Sequence, residues 1–243
     1  MAHNFETTNW SLIVRASAST TDVRRIALAE LCEAYWYPLY SFARRRGCDH
    51  EDASDLTQAF FVHLIEKHAL DGLTPTQGRF RAFLLASFKN FQSDARQRAH
   101  AQRRGGDLIR IPWDQELLEA RYGASVVAGE DAEQLFARQW ALTVIDRARL
   151  RLRAQYVDAG RTHDFEVLSP YLAPEQGQSS TAELARALAT TEGAARVVLH
   201  RFRRRFGSAL RAEVASTVEN REEIESELRF LLAVLAGHGH SVS

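Results

Sequence analysis

Apolar residues recur along almost the whole chain at the three-and-four spacing of an α-helix. No stretch shows the strict alternation of a half-buried strand bounded by turns. That pattern predicts an all-α fold. The periodic segments are 24–46, 50–67, 79–103, 135–157, 181–188, 192–212 and 220–236. The longest stretch without a period opens at Gly105-Gly106 and passes Pro112, Gly123 and Gly129, so it reads as a linker. A second loop covers about 169–180. The spacing therefore predicts two helical domains, 1–105 and 134–215, joined by a flexible linker at 106–133. A helical extension, 216–243, follows. A length of 243 residues accommodates this division.

The net charge is zero, but the charges are segregated. Residues 79–110 carry eight basic side chains against Asp94 and Asp107, a net +6. Residues 192–211 carry six arginines against Glu192, a net +5. Acidic blocks offset them: Asp49, Glu51, Asp52 and Asp55 in one, and six glutamates between 213 and 229 in the other. Two separated basic segments suit a polyanion gripped at two places; solvated arginine faces on ordinary helices are the plainer alternative.

The second basic segment sits in a pair of helices. Ser180 followed by Glu183 forms a capping box that starts a short helix at Thr181. Ala189-Thr190-Thr191 is the turn, and Thr191 caps the next helix. Ala195, Leu199, Phe202 and Phe206 form one apolar stripe, expected to pack on Leu184, Ala185 and Leu188. Arg196, His200, Arg203 and Arg204 are left facing outward. A short helix, a tight turn and a second helix with a basic outer face is the geometry that lays a recognition helix in a DNA major groove. Side chains near its start would reach bases, and arginines further along would meet phosphates.

In the first basic segment, Phe80, Phe83, Leu84, Phe88 and Phe91 lie on one side of a helix. Aromatics interleaved with arginines can stack unpaired bases, but a one-sided stripe is more simply core, and we read most of them so. The other side is expected to carry Lys89, Gln92, Arg96 and Arg103, a stripe suited to a nucleic-acid backbone.

These segments resemble a known family. The run Asp52-Ala53-Ser54-Asp55-Leu56-Thr57-Gln58-Ala59-Phe60-Phe61 resembles the polymerase-docking signature of region 2 of bacterial sigma factors, D-A-E-D-L-x-Q-E-x-F. Gly78-Arg79-Phe80-Arg81-Ala82-Phe83-Leu84-Leu85, followed by Lys89-Asn90, resembles that family's F-R-x-W-L segment and basic-Asn pair. Thr191-Glu192-Gly193-Ala194-Ala195-Arg196-Val197-Val198-Leu199-His200-Arg201 resembles its region 4 recognition helix. Three motifs in order, over about 35–105 and 135–212, are similar to the small two-domain extracytoplasmic-function (ECF) sigma factors of the sigma-70 family.

The resemblance implies a transcription initiation factor without chemistry of its own. It implies that Asp52, Asp55, Leu56 and Gln58 dock on core RNA polymerase. Residues 68–79 would capture a flipped base of the minus-ten element, where unstacking costs a few kcal/mol. Arg79, Lys89, Asn90, Gln92, Arg96 and Arg103 would hold promoter DNA there. Arg196, His200, Arg203 and Arg204 would serve the minus-thirty-five element. The linker would thread the polymerase toward the RNA exit.

Two departures from the pattern matter. Ser54 and Ala59 stand where the family carries glutamates, so the docking run has lost two negative charges. A phosphate on Thr57, or secondarily Ser54, would restore about −1.5 to −2. This is similar to the subgroup controlled by Ser/Thr kinases, so a kinase or an anti-sigma factor is the expected regulator. The second departure is the extension. Ile224, Leu228, Leu231 and Leu235 form an apolar stripe, with Glu222, Glu223, Glu225 and Glu227 elsewhere on the helix. It is expected to pack on the 134–215 domain, or to cover the basic recognition surface there.

Other classes find less support. There is no stretch of about 20 apolar residues to span a membrane and no signal-peptide core, so a cytoplasmic location is expected. Two cysteines, Cys32 and Cys48, make neither a disulfide framework nor a zinc site, and the histidines show no metal spacing. No phosphate loop, nucleophile elbow or zinc-protease motif is present. The expectation is a protein that is not an enzyme and needs no metal or cofactor. The competing readings are a conventional helix-turn-helix regulator, and a helical adaptor or anti-factor that makes no DNA contact.

Overall fold

The computed structural model describes residues 21–66, 79–101, 115–172, 181–218 and 221–237. The fold is all-α, and no strand occurs among the described residues. The helices are α1 (Thr21–Arg45), α2 (His50–Glu66), α3 (Phe80–Ala101), α4 (Gln115–Ser125), α5 (Ala132–Asp158), α6 (Thr162–Leu168), α7 (Thr181–Ala187), α8 (Glu192–Ala215) and α9 (Arg221–Leu235). A 3-10 turn, Ser169–Leu172, follows α6.

Two compact units emerge. One contains residues 1–143 together with 214–243, and the other contains 144–213. The division differs from the sequence expectation in three ways. The expected linker, the start of the expected second domain (134–143) and the C-terminal extension all fall in the first unit.

The first unit is built on aromatic burial. Tyr35, Trp36, Tyr40 and Phe42 of α1 are fully enclosed, and Trp36 stacks on Tyr40 at 5.3 Å. Phe60 of α2 meets Phe88 of α3 edge to face at 5.1 Å, and Phe42 meets Phe88 at 6.1 Å. Phe80, Leu84 and Phe88 repeat every four residues and are all buried, so this stripe is core rather than a stacking platform.

Helix α4 lies inside the segment read as a linker. Its Leu118 is buried, and Glu119 is gripped by α1 and α2. Tyr40 donates its hydroxyl to Glu119 at 2.9 Å, Arg44 bonds the same carboxylate, and His50 Nδ1 lies 3.1 Å from it. Partial desolvation pushes the Glu119 carboxyl upward, but the Tyr40 hydrogen bond and the Arg44 charge outweigh it and hold the group below its usual range. After α4, Glu130 receives Arg138 through two 2.7 Å bonds, and its carbonyl accepts from Arg45 Nε at 2.8 Å. Asp131 then caps α5 reciprocally. Its carboxylate accepts from Gln134 N at 2.8 Å, and its own N–H donates to Gln134 Oε1 at 3.0 Å.

The second unit has one core: Leu152, Tyr156, Phe165, Leu168, Leu184, Ala185, Ala195 and Phe202, with Leu188, Leu199 and Phe206 packed against it. The predicted stripe of α8 thus meets the predicted residues of α7. Thr191 caps α8, accepting from Ala194 N at 3.3 Å. Ser180, the other half of the expected α7 capping box, lies outside the described residues.

Three helices end in the same way. At α1, Cys48 N reaches Ala43 O at 3.2 Å with Gly47 at φ 91°. At α5, Arg161 N reaches Tyr156 O at 2.8 Å with Gly160 at φ 66°. At α7, Thr190 N reaches Ala185 O at 2.9 Å, but the left-handed residue is Ala189, at φ 49°. That six-residue closure wants glycine, because a Cβ costs roughly 1–2 kcal/mol in this conformation. Ala189 is exposed, so Ala189→Gly removes strain without removing packing. It should stabilise the second unit by about 1 kcal/mol, less the backbone entropy that glycine brings to the unfolded chain. Urea denaturation checks this, and a destabilised variant would contradict it.

Candidate nucleic-acid interface

Two surfaces carry the predicted site residues, one in each unit. In the first, Asp49 caps α2 by accepting from Asp52 N at 2.8 Å, which fixes the start of the acidic run. Asp52 and Asp55 are exposed; Leu56 and Ser54 are half-buried. Acidic side chains near a helix N-terminus are also favoured by the helix dipole. This face presents its charge to solvent.

The same helix corrects two expectations. Gln58 is buried and cannot contact a docking partner in this conformation. Thr57 is fully enclosed, and its hydroxyl donates to Ala53 O at 2.7 Å. The reason is periodic. Ala53, Thr57, Phe60, Phe61 and Leu64 follow the three-and-four spacing and form the core-facing side of α2, all of them buried. Ser54 thus keeps part of its surface in solvent while Thr57 is closed, the reverse of the expected order of accessibility.

Helix α3 divides likewise. Gln92 continues the Phe80, Leu84, Phe88 stripe, is buried, and points its amide at Cys48 Sγ 3.6 Å away. It belongs to the core, not to the basic face. Asn90 is exposed. Lys89 is ion-paired with Glu133 at the start of α5. Arg79 and Arg81 both pair with Glu227 of α9, at 2.9 Å and 2.5 Å. Arg96 lies in α3, though its side chain is outside the described residues, as are Arg103 and all of the expected base-capturing loop at 68–79 except Arg79.

The second unit presents its cations openly. Arg196, His200, Arg203 and Arg204 are exposed along α8, as the helical spacing predicts. Arg196 makes only a loose 3.7 Å pair with Glu192 one turn away. Arg203 donates to Tyr171 O at 3.0 Å. That bond ties it to the 3-10 turn and fixes its direction. Near the start of the helix, Val197 is 49% exposed, an apolar side chain with no core role.

Sequence reasoning missed Arg81, Glu133 and Glu227 as members of a charge cluster. They are spread over 146 residues of sequence, and only the packing of α3, α5 and α9 unites them. Other reactive groups are quiet. Burial pushes the Cys32 thiol up to about 12, with Glu33 adding to the effect. No group of three or more metal-ligating side chains is found among the described residues, and no described helix is long and apolar enough to cross a membrane.

Residues 31–102 match the family model for Sigma-70 region 2. The matched segment runs from α1 through α3, and so contains the acidic face of α2 and the basic start of α3. The match covers 72 of the 243 residues, all of them in the first unit. No curated protein and no solved structure matches the chain.

Proposed function

We propose that this chain is an RNA polymerase sigma factor of the ECF type, docking on core RNA polymerase through α2 and binding promoter DNA through α3 and α8. The observation that carries the reading is the region 2 match on α1–α3, which supports a sigma-factor role with core polymerase and promoter DNA as partners. The exposed Asp52 and Asp55 add a polymerase-facing charge, and the cationic face of α8 adds a second DNA contact. The protein would work in the cytoplasm, where polymerase and promoters are.

Division of labour follows from chemistry. Asp52 and Asp55 would give orientation and on-rate to the protein–protein contact. Arg196 and His200, near the start of α8, would reach base edges, while Arg203 and Arg204 would meet phosphates. Activation by a Ser/Thr kinase fits best at Ser54. A phosphate there would extend the Asp52–Asp55 charge by about −1.5 to −2. Phosphorylation of the full chain with a candidate kinase, followed by peptide mapping, tests the site. Modification confined to Thr57 would overturn this assignment.

Promoter-dependent transcription with purified core polymerase is the decisive assay for the main reading. The Asp52→Arg, Asp55→Arg double variant should lose about tenfold or more in affinity for core enzyme, since like charges then face the same partner. Its thermal midpoint should barely move, because both side chains are exposed. Duplex binding without polymerase-dependent transcripts would instead identify a helix-turn-helix regulator.

A further inference from the structure

The two basic segments differ in one respect that the sequence does not reveal. On α8, Arg196 pairs loosely with Glu192 one turn away at 3.7 Å, and Arg203 donates to Tyr171 O at 3.0 Å. On α3, by contrast, Arg79, Arg81 and Lys89 are each neutralised by an acid from a distant helix. We propose that Arg79, Arg81 and Lys89 form a DNA phosphodiester site that the chain's own carboxylates occupy: Glu227 of α9 holds the two arginines until DNA displaces α9, and Glu133 of α5 holds Lys89 in a more exposed pair with which a phosphate competes directly. This rests on the reading of α3 as a promoter-binding helix.

The geometry favours occupation over mere surface pairing. Glu227 is fully buried and receives both guanidinium groups, with Arg81 Nε at 2.5 Å and Arg79 Nε at 2.9 Å. Arg79 also reaches Ser226 Oγ at 3.4 Å. Phe230, one helical turn on, lies under the Arg81 guanidinium at 3.7 Å, and Trp140 of α5 flanks it at 5.3 Å. Two guanidiniums that clasp one carboxylate, with Arg81 itself seated against aromatic rings, would hold a phosphate oxygen in the same way. The Lys89–Glu133 pair is more exposed and correspondingly weaker. Arg81 and Lys89 both line a cavity of about 590 Å³, with Glu130, Glu133 and Phe230, so a strand has room to approach them.

The two states exclude each other for an electrostatic reason. If Arg79 and Arg81 turned to a phosphate while α9 stayed docked, Glu227 would be left as a buried, unpaired carboxylate, a strongly unfavourable state. DNA at this site must therefore expel Glu227, and α9 with it. Leu228, Leu231 and Val234 set the apolar resistance to that release. The extension thus regulates the first unit, not the recognition helix of the second.

The test uses the full chain and a fluorescein-labelled, mixed-sequence single-stranded DNA. Glu227→Gln keeps shape and removes charge; Leu231→Ala, at a fully buried position of α9, loosens the helix without touching a charge. Each should bind about fivefold or more tightly than wild type. Adding Arg81→Ala to Glu227→Gln should abolish the gain. Hydrogen exchange on the wild type should show amides of 221–235 losing protection when DNA binds, a readout that stands even if a variant fails to fold. Unchanged affinity in folded variants, or unchanged α9 protection in the DNA-bound wild type, overturns the proposal. Transcription with core polymerase separates the two levels. Absence of promoter-dependent transcripts from every variant overturns the sigma-factor reading, while affinity and exchange still decide the latch.

Discussion

Phe202→Ala is expected to cost the second unit about 3–5 kcal/mol, the range for deleting a buried ring. Phe202 is fully enclosed and meets Tyr156 edge to face at 5.6 Å and Phe165 at 5.9 Å. It joins α8 to α5 and α6 in a single cluster that also holds Leu184 and Ala185 of α7. The unit spans only residues 144–213 and its core is this one cluster around Phe202, and a domain of that size is only marginally stable. Losing this ring should therefore unfold much of the unit at ambient temperature. Urea denaturation followed by circular dichroism should show one transition moving sharply, and duplex DNA binding should fall with it. Arg204→Ala provides the contrast. That side chain is exposed, so stability should stay within about 0.5 kcal/mol while DNA affinity falls without regard to sequence. A Phe202→Ala variant losing less than about 1 kcal/mol would mean that the cluster does not hold α8 in place.

Helix identity was legible wherever an apolar stripe ran for several turns. The expected segments 50–67, 79–103, 135–157 and 192–212 correspond to α2, α3, α5 and α8. Two short helices escaped for physical reasons. In α4, Gly123 and the surrounding glycines suggest a linker, while a single buried leucine and the Glu119 grip hold the helix down. Helix α6 has only seven residues and follows Gly160, too short for a period to register. The outward face of α8 was legible because Ala195 and Phe202 fix which side is core. The same logic, applied one turn further along α3, would have placed Gln92 with Phe80, Leu84 and Phe88; its polarity argued the other way. The destination of α9 could not be read at all. Its stripe says that one face is buried, but an apolar stripe carries no information about which partner buries it. The Glu227 triad supplies that information, and it is visible only once α3 and α9 are in contact.

The buried side of α2 leads to the second large expected effect. Thr57→Glu should destabilise the first unit by several kcal/mol, whereas Ser54→Glu should change its stability by no more than about 0.5 kcal/mol. The two positions are three residues apart on one helix, so the same added charge meets opposite surroundings. Thr57 is fully enclosed beside Ala53, Phe60 and Phe61, and its hydroxyl is already satisfied by Ala53 O. A carboxylate there loses its water among the apolar side chains Ala53, Phe60 and Phe61 of the same helix face, and burying that charge is costly. A phosphate would carry more charge still, and its transfer would first require α2 to open locally. Ser54 keeps part of its surface in solvent next to Asp55, where added charge stays hydrated. Chemical denaturation of both variants, with affinity for core polymerase measured on whichever fold, separates a structural hydroxyl from a regulatory one. If Thr57→Glu proved as stable as the wild type, the enclosed side of α2 would not be the Thr57 side, and the preference for Ser54 would fall.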